Sequence, residues 1–229
     1  LARRPAAVRT ADARAEAALA FKECLRNGIT SFQDAGSSFA TVDLFRSLRA
    51  EGRLDVRLWV MLSETNEALA ARGAGYRTID SEKHRLTVRA IKRSLDGALG
   101  SRGAWLLAPY SDLPSSSGLN TTPLETLRGT AAYAMAHGFQ LCVHAIGDRA
   151  NRETLNAFEA AVGQATGLSL RNRIEHVQII HPDDMSRFAR LGVIASMQPI
   201  HAIGDMRMAD AYWGKRSRSA YAWRSLRDG

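Results

Sequence analysis

The sequence is poor in several residue types that mark particular classes of protein. It has two cysteines, Cys24 and Cys142, which lie far apart and lack metal-site spacing. Such cysteines are usually buried and reduced, so we predict a reducing compartment, the cytoplasm. No apolar run approaches the ~20 residues of a membrane-spanning helix, and no signal-peptide pattern opens the chain. No membrane attachment is therefore predicted.

Lysine is also scarce, with four lysines against 27 arginines in a chain of net charge +8. An excess of positive charge can indicate binding to nucleic acid or to a membrane surface. Here the arginines are scattered and alternate with acids, as in RTADARAEAALAFKE. Aromatic residues do not interleave with them, as a surface for single-stranded nucleic acid would require. We predict a solvated arginine-rich surface and no nucleic-acid partner.

The pattern that is present is a βα alternation along 229 residues, a length that suits one α/β domain. Six strand-like apolar runs alternate with helical segments, which predicts a parallel sheet, either open or closed into a barrel. Six strands are two fewer than a (β/α)8 barrel contains. The runs are Ile29–Gln33, Leu54–Leu62, Arg85–Ser94, Phe139–His144, Arg171–His176 and Val193–Pro199.

The connections carry further local signals. Asp96–Leu119 predicts a long loop with four glycines, and loops of this length are often binding loops or lids. Thr122, Pro123 and Glu125 form a capping-box pattern, so a helix is predicted to start there and to end at Gly138. Residues 163–169, GQATGLS, are predicted as a linker.

Two histidines end consecutive strand-like runs and lie 32 positions apart, His144 and His176. A βαβ unit needs about 30 residues, so both imidazoles should face the same mouth of the sheet. Either histidine alone could be an ordinary strand-end residue. Their repetition at βα spacing favours a functional site.

Other polar residues fall at predicted strand ends, namely Asp34, Lys92, Gln198 and His201. Histidines that meet an acid at one mouth can bind a divalent metal, and imidazole suits zinc. Lys92 would join such a site if it were carbamylated, because the modified side chain is carboxylate-like. The alternative is that Lys92 forms an ion pair with Asp96 or Asp34.

Residues near the histidines have more than one interpretation. Asp148 and Arg149 could orient His144 or its loop, or Asp148 could cap the following helix. Glu175 is expected to point away from His176 on an extended strand and to be structural. The segment DGALGSRG lacks the GxGxxG and GK[ST] spacings of phosphate-binding loops, and no GxSxG nucleophile motif occurs.

Five segments together give the chain a family resemblance: IKRSLDGALGSRGA, VHAIGDRA, RIEHVQ, SMQPIHA and AYAWRSL. In this order they resemble the amidohydrolase superfamily, in its amidohydrolase-3 branch, which includes proteins similar to N-substituted formamide deformylase. The resemblance implies a metal-dependent hydrolase on a (β/α)8 TIM-type barrel, with one or two divalent ions, usually zinc, that activate water. A small-molecule substrate with a non-peptide C–N bond is implied as well.

The resemblance also assigns residues to roles. His144 and His176 match the family's metal ligands from the fifth and sixth barrel strands, and Lys92 falls where many relatives carry a carbamylated lysine. His201 and Gln198 look like substrate-side residues. Asp96 and Arg102, in the long loop, are expected to bind substrate too.

The chain departs from the family pattern in features that bear on catalysis. It has no His-x-His pair, and the catalytic aspartate expected after the eighth strand does not occur before Gly229. The family's small β-sandwich is absent too. We therefore expect residues 1–229 to form one partial, central barrel domain with little or no catalysis. The rival hypotheses are a non-catalytic domain that binds an anionic small molecule near Arg149 and Arg102, and a homo-oligomer formed through unpaired strand edges.

Overall fold

A computed structural model describes residues 6–162 and 170–228 of the protein. The predicted linker, residues 163–169, lies outside the described residues. The strands are β1 Ser31–Ser37, β2 Arg57–Leu62, β3 Thr78–Ile79, β4 Leu86–Ser94, β5 Gln140–Ala145, β6 Arg173–His176 and β7 Ile194–Ser196. The helices are α1 Ala6–Arg26, α2 Phe39–Ala50, α3 Asn66–Arg72, α4 Leu124–His137, α5 Asp148–Val162, α6 Pro182–Arg190, α7 Pro199–Trp213 and α8 Trp223–Asp228.

The strands confirm the predicted α/β fold class. Strand β1 pairs in parallel with β2, and β4, β5, β6 and β7 pair in parallel in chain order. Helices alternate with these six strands, as in an incomplete (β/α)8 TIM-type barrel. The two-residue strand β3, in a segment that the sequence pattern left unassigned, pairs antiparallel with β4.

The chain divides into two compact units, with the boundary between Arg89 and Ala90 inside strand β4. In the first unit, helix α2 begins after Ser38, whose hydroxyl accepts a hydrogen bond from the Thr41 N–H and so caps the helix. Apolar side chains of α2, β2 and α3 are fully buried and form its core, which includes Val42, Val60 and Leu69.

A buried carboxylate organises the polar side of the first unit. Asp80 accepts two hydrogen bonds from the Arg49 guanidinium, at 2.6 and 2.7 Å, and two from the backbone N–H groups of Lys83 and Arg85. These bonds hold the pKa of Asp80 far below its ordinary value, with the Arg49 hydrogen bond as the largest cause. Asp80 thereby ties α2 to the turn before β4.

The second unit contains the strands that end in the predicted site residues. In its register, Ser94 of β4 lies opposite His144, and Ala145 of β5 lies opposite His176. Cys142 is buried, which raises the pKa of its thiol to about 12 and confirms the predicted buried thiol. Cys24, in the other unit, is only half-buried, contrary to the prediction.

The predicted capping box is wrong at the start of helix α4. The helix begins at Leu124, and Pro123 occupies the cap position without a side-chain hydrogen bond. The hydroxyl of Thr122 donates instead to the Ser94 carbonyl oxygen, at 2.6 Å, and the Thr121 hydroxyl donates to the same oxygen. The predicted helix end is confirmed, because Gly138 adopts the left-handed conformation at φ +69°.

The long connection between β4 and α4 has no regular element, as predicted, but it is anchored by its own hydrophobic core. Leu99, Leu106 and Tyr110 are buried against Ile146, which follows β5, Ile179, which follows β6, and Trp213 of helix α7. A Cβ added at Gly118 would lie 1.9 Å from the Ala104 carbonyl oxygen, so this close approach requires glycine. The loop is a packed part of the fold.

Helix α7 was not predicted, although His201 was singled out within it. It follows β7 with Pro199 at its first turn and runs for 15 residues. Its apolar residues Ile200, Ile203 and Met206 are exposed, and only Ala209 and Trp213 at its end are buried. The helix therefore lacks the usual continuous apolar stripe. Among the helices in the described ranges, none is long and apolar enough to span a membrane.

Candidate active site

The imidazoles of His144 and His176 meet at the carboxyl ends of β5 and β6. Their ring centroids are 4.5 Å apart with an interplanar angle of 72°, so the edge of one ring faces the other. The structure thus brings together the two residues that the βα spacing predicted to share a mouth. The site forms where parallel strands of α/β folds commonly place their chemistry.

The backbone at His176 is what allows this meeting. His144 lies opposite Glu175 in the register, so a regular strand would direct Glu175 to the face of His144 and His176 to the other face. His176 and Val177 instead adopt positive φ angles of 79° and 46°. Left-handed non-glycine residues are costly and are typical of functional sites. This turn directs His176 back towards His144.

A glutamine fixes the orientation of His176. Its Nδ1 lies 2.8 Å from the Oε1 of Gln198, and the amide nitrogen of Gln198 donates to the Ser196 carbonyl oxygen at 3.2 Å. Because that second bond identifies Oε1 as the acceptor, Nδ1 of His176 carries the proton. Its Nε2 is therefore the nitrogen with a lone pair for a metal.

An aspartate lies behind His144. Asp96 Oδ1 is 3.3 Å from the His144 Nε2, and its carboxylate accepts hydrogen bonds from the backbone N–H groups of Trp105, Ile146 and Gly147. The imidazole contact is close but not aligned as a hydrogen bond. Asp96, predicted to bind substrate, is fully buried and supports His144 from within the fold. Nδ1 of His144 is the nitrogen turned away from this carboxylate.

The electrostatic surroundings favour the metal-binding form of His176. Burial, and next the proximity of His144, lower its pKa, whereas the Gln198 hydrogen bond opposes this shift. A lowered pKa keeps the imidazole neutral, which is the form that binds metals. Glu175, as predicted, has a structural partner: it forms an ion pair with Arg173 at 2.6 Å.

Lys92 lies on β4, opposite Cys142 in the register. Its ammonium donates to the Arg93 carbonyl oxygen at 3.2 Å. Burial lowers the pKa of Lys92, and the charge of Glu175 opposes this shift. Asp34, in the first unit, accepts a hydrogen bond from the Gly36 N–H.

His201 adjoins the histidine pair from the first turn of α7. Its ring centroid lies 5.8 Å from that of His176, and its Nδ1 lies 3.8 Å from the Asp205 carboxylate. Asp205 also accepts hydrogen bonds from the Gln178 amide and the Tyr221 hydroxyl, at 3.1 and 3.4 Å. Burial and the neighbouring carboxylate raise the pKa of Tyr221. Asp205, Gln178 and Tyr221 were assigned no role from the sequence. Gln178 and Tyr221 lie in the family-like segments RIEHVQ and AYAWRSL, and Asp205 follows His201 by four residues.

Three other predicted residues make their contacts with the long loop. The Arg102 guanidinium pairs with Asp112 at 2.5 Å and lies over the Tyr212 ring. Arg149 lies over the Trp105 indole, 4.6 Å from its centroid. Asp148 accepts hydrogen bonds from the backbone N–H groups of Leu107 and Arg149, so it anchors the loop.

The histidine pair fits part of a metal site. Two imidazoles in contact, one hydrogen-bonded to Gln198 and the other beside the Asp96 carboxylate, form the kind of donor set that zinc takes. Over residues 6–162 and 170–228, no group of three or more histidine, cysteine, aspartate or glutamate side chains is arranged to hold a metal ion. A catalytic zinc ion usually has three protein ligands.

The sequence profile of the amidohydrolase family matches residues 2–229, nearly the whole chain. The chain belongs to the amidohydrolase family. The chain is 35% identical over 138 residues to the putative amidohydrolase YtcJ of Bacillus subtilis, a match that covers 60% of the chain and 26% of YtcJ. It is 34% identical over 146 residues to the protein LONG AFTER FAR-RED 3 of Arabidopsis thaliana, covering 63% and 25% of the two chains.

Two solved structures are similar to the chain. One is an uncharacterized metal-dependent hydrolase from Pyrococcus furiosus, with a TM-score of 0.80 and 28% identity over 96% of this chain and 45% of that one. The other is an uncharacterized metal-dependent hydrolase from Pyrococcus horikoshii, with a TM-score of 0.80 and 27% identity. That match covers 96% of this chain and 43% of the solved one. The chain spans about a quarter of the curated relatives and under half of the solved ones.

Proposed function

We propose that the chain is the central part of a metal-dependent hydrolase that cleaves a non-peptide C–N bond in an amide, a formamide or a cyclic amide. The observation that carries the proposal is the contact between the His144 and His176 rings at two neighbouring strand ends. Family membership and the two metal-dependent hydrolase neighbours support it.

In this proposal each residue of the site has one task. His144 and His176 hold a divalent metal, and zinc is the ion that imidazole ligands favour. When bound, such an ion acts as a Lewis acid that polarises a carbonyl and lowers the pKa of water. Gln198 and Asp96 hold the two imidazoles, and His201, whose side chain is 41% exposed beside His176, contacts the substrate. Arg102, paired with Asp112, fixes the loop that borders the site.

Lys92 is a proposed third ligand after carbamylation. The reaction with carbon dioxide needs a neutral amine, and the lowered pKa of Lys92 favours that form. Carbon-13 NMR of protein incubated with labelled bicarbonate should show one carbamate signal that disappears in Lys92→Gln and remains in Lys83→Gln, an exposed lysine of the first unit. A signal unchanged by Lys92→Gln would contradict this assignment.

The test of the metal site is a measurement of metal affinity. Zinc titration against a chelating dye should give saturable binding that falls at least tenfold in His144→Ala and in His176→Ala. The control is His84→Asn, which changes an exposed histidine of the first unit and preserves its left-handed turn, since asparagine tolerates φ +52°. Zinc affinity unchanged by both site variants would refute the proposed ligands.

Hydrolysis is tested separately from binding. Without a carbamate on Lys92 the two imidazoles fall short of the usual three protein ligands, and the sequence has no His-x-His pair to add to them. The 229-residue chain should therefore bind zinc weakly and hydrolyse N-substituted formamides or hydantoin slowly or not at all. A longer form that includes the flanking sequence should be active. Comparable activity of both forms would show that residues outside this chain are not needed for the reaction.

A further inference from the structure

A cavity in the second unit contains none of the residues proposed to hold the metal. Its volume is about 570 Å³, within the range of small-molecule sites. It is bordered by the long loop at Leu107 and Ala108, by the start of α5, by residues 179–182, and by the turn that contains Lys215 and Arg216.

One wall of this cavity carries two consecutive cations, Lys215 and Arg216. The Arg216 guanidinium donates to the carbonyl oxygens of Ala108, Pro109 and Trp213, at 2.8, 2.5 and 3.3 Å. These bonds fix the side chain rigidly, but carbonyl groups do not neutralise its charge. Lys215 is exposed and has no hydrogen-bond or ion-pair partner within the described ranges.

The acidic residues near the cavity are already engaged. Asp148, the only carboxylate that lines it, is buried and receives the N–H groups of Leu107 and Arg149. The lining guanidinium of Arg152 contacts Asp184 at 2.8 Å, and Asp184 is shared with Arg187. Positive charge therefore exceeds negative charge around the cavity. An anion placed there would meet a preorganised guanidinium and an exposed ammonium.

Much of the remaining lining is apolar. Ile179 and Ile180 are 1% exposed, and Leu107 and Pro182 complete the apolar side. A cavity that combines apolar walls with one cationic wall matches a ligand with a hydrophobic body and one negative group. An inorganic anion would leave the apolar walls without a partner.

We propose that this cavity binds an organic carboxylate, with the carboxylate group at Lys215 and Arg216 and the apolar body against Leu107, Ile179 and Ile180. The inference does not depend on the proposed function, because it uses neither His144 nor His176. It adds a binding site for a small organic acid at the rim of the second unit.

The experiment is a chemical-shift titration of the nitrogen-15-labelled chain with 2-naphthoate. Saturable shifts are expected at the amides of Ile180, Lys215 and Ser219, with a dissociation constant on the order of 1 mM for so small a ligand. The neutral isostere 2-naphthamide and inorganic phosphate should each bind at least fivefold more weakly. Equal binding of the amide would overturn the charge argument, and equal binding of phosphate would overturn the apolar one.

Substitutions locate the site. Lys215→Gln should weaken 2-naphthoate binding about fivefold, which corresponds to about 1 kcal/mol for the loss of one partly solvated cation, and Lys215→Arg should retain it. Arg218→Gln, which removes an exposed cation that does not line the cavity, is the matched control and should bind as the unmodified chain does. The double variant His144→Ala, His176→Ala should bind 2-naphthoate normally even if it has lost zinc. Unaltered binding by Lys215→Gln, or no saturation at millimolar ligand, would refute the site.

Discussion

The carboxylate of Asp96 lies 3.3 Å from the Nε2 of His144, although 48 residues separate them in the sequence. The same carboxylate receives three backbone N–H groups, from Trp105 and from the turn at Ile146 and Gly147 that follows His144. One buried side chain therefore lies against the ring of the proposed ligand and fixes the loop and the turn around it by hydrogen bonds.

Asp96→Asn should damage stability and metal binding together. The amide would present hydrogens towards buried N–H groups, so we expect a loss of about 3 kcal/mol in the free energy of unfolding, measured in urea. Zinc affinity should fall about tenfold, because an orienting partner of a metal ligand is altered. Asp112→Asn changes a more exposed aspartate of the same loop and should leave zinc affinity unchanged. Equal zinc affinity in Asp96→Asn and the unmodified chain would contradict the orienting role.

Gln198→Ala should weaken metal binding with little loss of fold. The substitution removes the acceptor 2.8 Å from the His176 Nδ1, so the ring is free to rotate. Loss of such a partner typically costs 10- to 100-fold in metal affinity, and a decrease at the lower end, roughly tenfold, is expected here. Gln198→Glu restores an acceptor and should recover most of the affinity. If Gln198→Glu binds zinc as poorly as Gln198→Ala, the hydrogen bond is not what matters.

Two glycine substitutions should change stability in opposite directions. At Gly147 an added Cβ would lie 2.0 Å from the Trp105 carbonyl oxygen, so Gly147→Ala should destabilise the protein by about 3 kcal/mol. At Gly204, inside helix α7, no atom lies within 4 Å of the added Cβ, so Gly204→Ala should stabilise by up to about 1 kcal/mol. Urea unfolding measures both. A tolerated Gly147→Ala would contradict the close packing of the loop.

Acid should destabilise the protein partly through Asp80. Its pKa is lowered in the folded state by Arg49 and by backbone N–H groups, so its stabilisation is present above the unfolded-state pKa of about 4. That stabilisation is lost as the pH falls below this value towards the folded-state pKa. The urea midpoint of Asp80→Asn should therefore fall less steeply between about pH 5 and pH 2 than that of the unmodified chain. Parallel pH profiles would exclude a contribution from Asp80.

The sequence was sufficient to predict the features that depend on a local residue pattern, namely the strands and the two strand-end histidines. The six parallel strands were found because each is a short apolar run bounded by turn residues, and all lie within a few residues of their predicted positions. His144 and His176 were identified because the βα repeat brings consecutive strand ends together. No coordinates were needed to expect that these two rings meet.

Other features depend on contacts that no local pattern reveals. Asp96 reaches Ile146 across 50 residues, so its structural role was hidden behind an expected role in substrate binding. Thr122 had a favourable capping spacing, but its hydroxyl bonds to the nearby Ser94 carbonyl oxygen. Helix α7 was missed because Ile200, Ile203 and Met206 face solvent and only its end is buried, at Ala209 and Trp213, so its apolar residues form no continuous buried stripe.

The Trp105 carbonyl oxygen accepts hydrogen bonds from the N–H groups of both Arg149 and Ala150, which lie in the first turn of helix α5 and lack an intrahelical acceptor. The long loop thus supplies a hydrogen-bond acceptor to the start of a helix that lies more than forty residues away in the chain. Amide hydrogen exchange at residues 149 and 150 should therefore report the opening of this loop, before any change at the histidines themselves.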